Sequence, residues 1–175
     1  MSNYRKVEVG INVHASKALL WDLLFTKFGQ INMFHPGLEG SHHTVGEVGQ
    51  IGCERQCDLD GKTSVREKII SAKLEESFVI DVTKGLPGIP EMKAEFSLYD
   101  IGEGNTKVKL QAKFKTNPSF LGFLMLGMMK KRLFQVLIGL KYYSETGLQV
   151  NKTNAKEVFK LYKKLQSYNQ YQFAS

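Results

Sequence analysis

The sequence predicts an α+β fold, a curved antiparallel sheet of about six to seven strands wrapped around one long C-terminal helix, with two short helices after the first strand. Three observations carry this. From Ser41 to Thr116 apolar and polar residues alternate almost without interruption, the period-2 signature of strands with one buried face. Turn chemistry, not helical stretches, separates the segments of that run, so the strands join by hairpins into an antiparallel meander. After Asn117-Pro118-Ser119 the period changes, and an apolar-rich helix runs from about Phe120 to Thr146. At about 1.5 Å per residue it is roughly 40 Å long, enough to cross a whole sheet.

The elements follow in order. Val7, Val9, Ile11 and Val13 alternate with Lys6, Glu8, Gly10 and Asn12, a strand with one buried face. Ala15-Ser16 offers a helix cap, Leu19, Leu20, Leu23 and Leu24 fall at helical spacing beside Trp21, and Gly29 ends the helix. A second short helix or turn covers about 30–34, before His35-Pro36-Gly37. Residues 50–59 alternate, with Ile51, Cys53, Arg55, Cys57 and Leu59 on one face, and Asp60-Gly61 is a hairpin turn. Residues 63–72 return with Val65, Glu67 and Ile69 on one face, and Phe78, Ile80 and Val82 form a face of the next strand. Residues 85–90 contain two prolines and cannot continue a ladder, because proline lacks the amide donor. Met92, Ala94, Phe96 and Leu98 alternate, Gly102-Glu103-Gly104-Asn105 turns the chain, and Val108, Leu110, Ala112 and Phe114 alternate with lysines and Gln111. Gly147 is a C-terminal stop for the long helix. Residues 154–168 read as an amphipathic helix with Val158, Leu161, Tyr162 and Leu165 on one side, and the tail from Asn169 is expected to fray.

Composition sets the outer bounds. The 175 residues, 42% hydrophobic and 23% charged, exclude a disordered, collagen-like or coiled-coil protein. They suit one domain over 1–150, with 151–175 in the same domain or appended. A net charge of +7 favours anionic partners in general. Two cysteines cannot make a disulfide scaffold. The start, Met1 to Lys6, leads into a strand and not a signal-peptide core, and the apolar stretch Phe120–Met129 is far short of the roughly 20 residues that span a bilayer. The expected location is the cytoplasm.

The chain resembles the START-like, or SRPBCC, superfamily with the helix-grip fold shared with birch-pollen-type allergens, and within it the polyketide cyclase/dehydrase-like proteins. The resemblance covers about residues 4–150. It rests on Ile11-Asn12-Val13-His14-Ala15-Ser16 with Leu20-Trp21-Asp22-Leu23-Leu24, then Gly49-Gln50-Ile51-Gly52-Cys53-Glu54-Arg55, then Val65-Arg66-Glu67. It ends in Leu137-Ile138-Gly139-Leu140-Lys141-Tyr142-Tyr143-Ser144-Glu145-Thr146-Gly147. The order and spacing of these motifs point to the fold. The superfamily includes lipid carriers, hormone receptors and cyclases, so activity has to be argued from the site.

A curved sheet around one helix leaves a gap at one end, and such gaps are common small-molecule sites. A three-residue hairpin loop pairs Arg55 with Glu67, Cys57 with Val65 and Cys53 with Ile69, all on the face toward the long helix. The Arg55–Glu67 pair is then a polar anchor for a ligand, a structural salt bridge, or, on a slipped register, solvated. The resemblance supports the first, since related cavities use a lone Arg or Glu in this way. Glu67 is also the candidate general base of a cyclase, with Arg55 beside it. His35 stands at the cavity mouth or caps a helix. Phe78, Ile80, Phe96, Leu98, Leu110, Phe114, Met128, Leu133 and Val136 are the expected apolar lining. Leu86, Pro87 and Ile89 are the expected gate loop, or an ordinary stiff connection.

No metal and no cofactor is expected. His42 and His43 point to opposite faces of a strand, and Cys53 and Cys57 lie roughly 13 Å apart on one, so neither pair chelates. The lysines of residues 107–115 alternate with buried aliphatics and not with exposed aromatics. They read as a solvated stripe that limits edge-to-edge aggregation, and nucleic acid is not an expected partner. The apolar start of the long helix packs in the sheet concavity, walls a cavity with adaptable methionines, or docks on a membrane or partner, with Lys130-Lys131-Arg132 suited to anionic lipid. The leading expectation is a protein that binds a hydrophobic small molecule or lipid. The alternative is a cyclase or dehydratase acting on an aromatic or polyketide-like substrate.

Overall fold

The computed structural model describes residues 4–59, 61–118 and 120–172. Asp60 of the expected hairpin turn, Ser119 before the long helix, the first three residues and the last three lie outside the described residues. Seven strands form one antiparallel sheet in the order β1-β7-β6-β5-β4-β3-β2. They are β1 (Arg5–Val13), β2 (Gly40–Val45), β3 (Glu54–Asp58), β4 (Ser64–Lys73), β5 (Ser77–Lys84), β6 (Glu91–Asp100) and β7 (Thr106–Lys115). The expected meander runs from β2 to β7, and the chain's first strand then closes onto its last, Val9 opposite Leu110. This placement corrects the reading of the lysine stripe. β7 is interior to the sheet, with β1 and β2 at the edges, so its lysines guard no edge. They cross to carboxylates on neighbouring strands instead, Lys109 to Glu8 at 3.5 Å and Lys115 to Glu91 at 2.7 Å.

Between β1 and β2 the chain forms α1 (Lys17–Trp21), a π-helical turn (Asp22–Thr26) and a 3-10 helix (Phe28–Met33). Ser16 caps α1 by accepting the Leu19 amide at 3.3 Å. The second short helix starts at Phe28, two residues earlier than its pattern suggests, with Gly29 inside it. The strand expected from residue 50 begins only at Glu54, because residues 50–52 form a turn; Ile51 lies exposed, off the buried face.

The long helix, α2 (Leu121–Thr146), ends at Gly147, whose φ of 73° supplies the left-handed stop. It lies in the concavity, burying Leu133, Val136, Leu137 and Leu140, each worth about 1.5–3 kcal/mol of transfer free energy. Contact with the short-helix segment is closest at Gly139, where an added Cβ would lie 2.0 Å from the Phe34 carbonyl oxygen. The last helix, α3 (Ala155–Gln172), continues helically past the point where fraying was expected. It turns Val158 and Tyr162 inward, with Tyr162 edge-on to Phe134, while Leu161 and Leu165 face water. Val150, Ala155 and Val158 join the same hydrophobic cluster as the sheet and α2.

Gly139→Ala pushes α2 off the Phe34 backbone and is expected to cost about 1–3 kcal/mol by overpacking. Chemical denaturation of the variant against the parent measures it.

Candidate functional site

The concavity is not filled evenly. Toward α1 the inner face of the sheet is occupied by an aromatic stack. Phe78 lies on Phe96 with centroids 5.3 Å apart, and Trp21 and Phe25 meet Phe78 edge-on at 5.8 and 5.4 Å. Toward the N-terminal half of α2 this aromatic packing stops, and a cavity of about 630 Å³ remains, with Ile31 of the 3-10 helix in its wall, within the range of roughly 300–1,000 Å³ usual for small-molecule sites. Its walls come from β3 (Arg55, Cys57), β4 (Val65, Glu67), β5 (Val82), β6 (Met92), the segment after the 3-10 helix (His35–Leu38) and α2 (Met125, Met128, Met129, Arg132, Leu133, Val136).

The polar end is built by the β3–β4 hairpin. Its register pairs Arg55 with Glu67 and Cys57 with Val65, the alignment a three-residue loop demands. Arg55 is only 3% exposed. Its Nε donates to Glu67 Oε2 at 2.6 Å and its Nη2 sits 2.5 Å from the same oxygen. Nη1 donates to the Phe28 carbonyl at 2.8 Å, and the guanidinium carbon lies 3.8 Å over the Phe28 ring. Such charge-assisted contacts are what a buried cation requires. Cys57 Sγ also donates toward Glu67 Oε2, at 3.8 Å. Burial, and next the Glu67 carboxylate, push the Cys57 thiol up to about 12, so it stays protonated and unreactive.

His35 reaches the same end. Its Nδ1 accepts the Gly37 amide at 3.1 Å, which leaves Nε2–H as the donor of the neutral ring. Burial lowers its pKa to about 4, against a raising influence from Glu67 and with smaller lowering influences from Arg55 and Arg132. The 85–90 loop contributes to the same wall, with Leu86, Pro87 and Ile89 all lining the cavity. Gly85 begins that loop at φ 110°, with an added Cβ only 2.1 Å from the Ser64 carbonyl oxygen, so only glycine lets the loop leave β5 so close to β4.

Of the residues read from the sequence, Arg55, Glu67, Cys57, His35, Met128, Leu133, Val136, Leu86, Pro87 and Ile89 surround this one cavity. The expectation for Phe78, Ile80, Phe96, Leu98, Leu110 and Phe114 is corrected: they lie outside the cavity wall, fully packed in the core. Alternation identifies their inward face, but α1, the π-helical turn and the rest of α2 fill the space before them. Met125 and Met129 line it as well, in keeping with the reading of the early helix as a methionine wall, while Ile31, Val82, Met92 and Arg132 were not named as lining. Among the described residues no cluster of three His, Cys, Asp or Glu side chains is placed to hold a metal. His42 and His43 are both exposed on the edge strand β2.

Two outcomes follow. Arg55→Met leaves a carboxylate with its cationic partner gone, and is expected to cost about 3 kcal/mol; the double variant with Glu67→Gln is expected to recover part of it, read by denaturant titration. For His35, the unfolded chain takes its proton near pH 6.5 and the folded chain only near 4. Between those values the unfolded state holds more protons, so this group's contribution to stability falls as pH falls through the window. Melting temperature followed from pH 7 to pH 4 is expected to drop less steeply in His35→Asn than in the parent.

No protein-family model matches the chain, and no curated protein matches it. Solved structures do. The Zhui aromatase/cyclase from Streptomyces sp. R1128 superposes with a TM-score of 0.67 at 14% identity, over 81% of this chain and 94% of that one. Norcoclaurine synthase from Thalictrum flavum, solved with dopamine and hydroxybenzaldehyde, gives 0.60 at 14% identity over 82% and 88%. The major latex-like protein 151 of Panax ginseng gives 0.56 at 17% identity over 76% and 98%. Likeness at such identities is a likeness of fold: this chain has the helix-grip fold that these structures share.

Proposed function

We propose that the chain binds a hydrophobic small molecule or lipid in the cavity between the sheet and α2, with Glu67 and Arg55 as polar anchors at its inner end. The observation that supports this best is the cavity itself: about 630 Å³, walled mostly by aliphatic and methionine side chains, with Arg55, Glu67 and His35 among its few polar groups. Four methionines, Met92, Met125, Met128 and Met129, are unbranched and adapt to varied shapes. Glu67, the more accessible member of the ion pair, accepts from a ligand hydroxyl or amide. Arg55 holds that carboxylate in place and has N–H groups to spare for a carbonyl. His35 offers Nε2–H. Leu86, Pro87 and Ile89 act as the gate.

The catalytic alternative makes Glu67 a general base. The ion pair counts against it, since Oε2 is already engaged by two guanidinium nitrogens at 2.5–2.6 Å and only Oε1 is left to meet a substrate. The neighbours named as a cyclase and a synthase show that this fold hosts such chemistry elsewhere.

The test is native mass spectrometry of the purified protein, followed by displacement of a fluorescent fatty-acid probe with long-chain fatty acids, sterols and aromatic polyketides. A retained or displacing ligand is expected, and Val136→Trp, which fills the cavity, is expected to weaken binding by about tenfold, near 1.4 kcal/mol. No binding by any of these classes overturns the proposal. Turnover of a polyketide-like substrate that Glu67→Gln abolishes replaces it with the catalytic reading.

A further inference from the structure

The first turns of α2 carry an exposed apolar surface that, apart from Met128, lies outside the cavity wall. Phe120, Phe123 and Leu124 are 69%, 70% and 73% exposed, and Met128, at the cavity mouth, is 44% exposed. At 3.6 residues per turn these positions share one face of the helix. Contiguous apolar side chains left open in this way mark an interaction site. The same helix continues into Lys130, Lys131 and Arg132, all exposed, with Lys131 in line with Phe120 and Leu124. From Gly104 to Ser144 the chain has eight Lys and Arg residues and no Asp or Glu. The 85–90 loop lies at the same end, its Gly88 carbonyl accepting the Asn117 amide at 3.0 Å.

We propose that this end of the molecule docks on an anionic phospholipid surface. Phe120, Phe123 and Leu124 enter the boundary between headgroups and acyl chains, and Lys130 and Lys131 lie at the phosphates. The dimensions agree. Phe123 to Lys131 spans about 12 Å of helix axis, and interfacial side chains sit about 5–10 Å deep. Charge decides between a bilayer and a protein partner: Lys130, Lys131 and Arg132 follow the apolar face directly, with no Asp or Glu in the helix before Glu145, and such a cluster complements a surface of uniform negative charge. Docking would place the mouth of the cavity against the bilayer. Docking rests on the surface patch alone; its use as a route for ligand rests on the binding function proposed above.

Co-sedimentation with vesicles of phosphatidylcholine alone, and of phosphatidylcholine mixed equally with phosphatidylglycerol, tests this. The chain is expected to bind the mixed vesicles about tenfold more tightly and to leave them as salt is raised. The variants Phe120→Ser/Phe123→Ser and Lys130→Gln/Lys131→Gln are each expected to lose about tenfold in binding with an unchanged circular dichroism spectrum and melting temperature. Val136→Trp is expected to bind vesicles as the parent does, which separates failure of the cavity from failure of the surface. Absence of binding to mixed vesicles, or variants that bind like the parent, overturns the proposal. So does a dimer in solution that Phe120→Ser/Phe123→Ser converts to monomer, since a second copy then covers the patch.

Discussion

Withdrawing a guanidinium from water costs several kcal/mol unless its donors and its charge are both met, and Arg55 is withdrawn almost completely. Its requirements tie together elements far apart in the chain. Glu67 answers from the next strand, and the Phe28 carbonyl and ring answer from the short-helix segment. The β3–β4 register is thereby coupled to the position of the 3-10 helix. A one-residue slip of β4 would turn Glu67 outward, bring Arg66 or Lys68 to the inner face, and place a second cation beside the first. A general hydrophobic pattern tolerates many registers near this one; the ion pair tolerates far fewer.

The same pin accounts for the hollow. With the 3-10 helix held by Arg55 and by the close approach of Phe34 to Gly139, the short helices cannot slide along the sheet to fill the far end. Their bulk is spent against Phe78 and Phe96. What remains beyond them is walled from α2 mainly by methionines and medium aliphatics, with the 85–90 loop alongside. A cavity of this kind follows from unequal filling of a curved sheet, without any strained element.

Much of this was legible in the residues. Alternation from Ser41 to Thr116 is strong because every strand has one wet face, and the three-residue loop put Arg55 opposite Glu67 through turn geometry alone. The hollow's extent was less legible. Period-2 patterning tells Phe78 and Phe96 from their outward neighbours, but not whether the space in front of them is taken by another element. That depends on where α1 and the π-helical turn come to rest, which is a tertiary fact. Ile51 misled for a related reason. It keeps the alternation of a strand through a turn that leaves the sheet, and an exposed isoleucine in a turn carries no local signal. The lysines of β7 were correctly seen as outward, but their strand's interior place in the sheet depends on the pairing of the first strand with the last.

The two faces of the early α2 turns pose one physical problem. A helix against a core has an apolar stripe and a polar one. Here Met125 and Met129 are needed inside, where they close the hollow, while Phe120, Phe123 and Leu124 stand outside where lysine or glutamate would be cheaper. Packing cannot explain the outer set, since those side chains touch little of the core. Helix propensity cannot either, as phenylalanine is a poorer helix former than lysine or glutamate. Solubility argues against them. The remaining physical account is a second apolar medium on the outer side. A cationic cluster that begins only as the apolar face ends then marks the level at which that medium gives way to water.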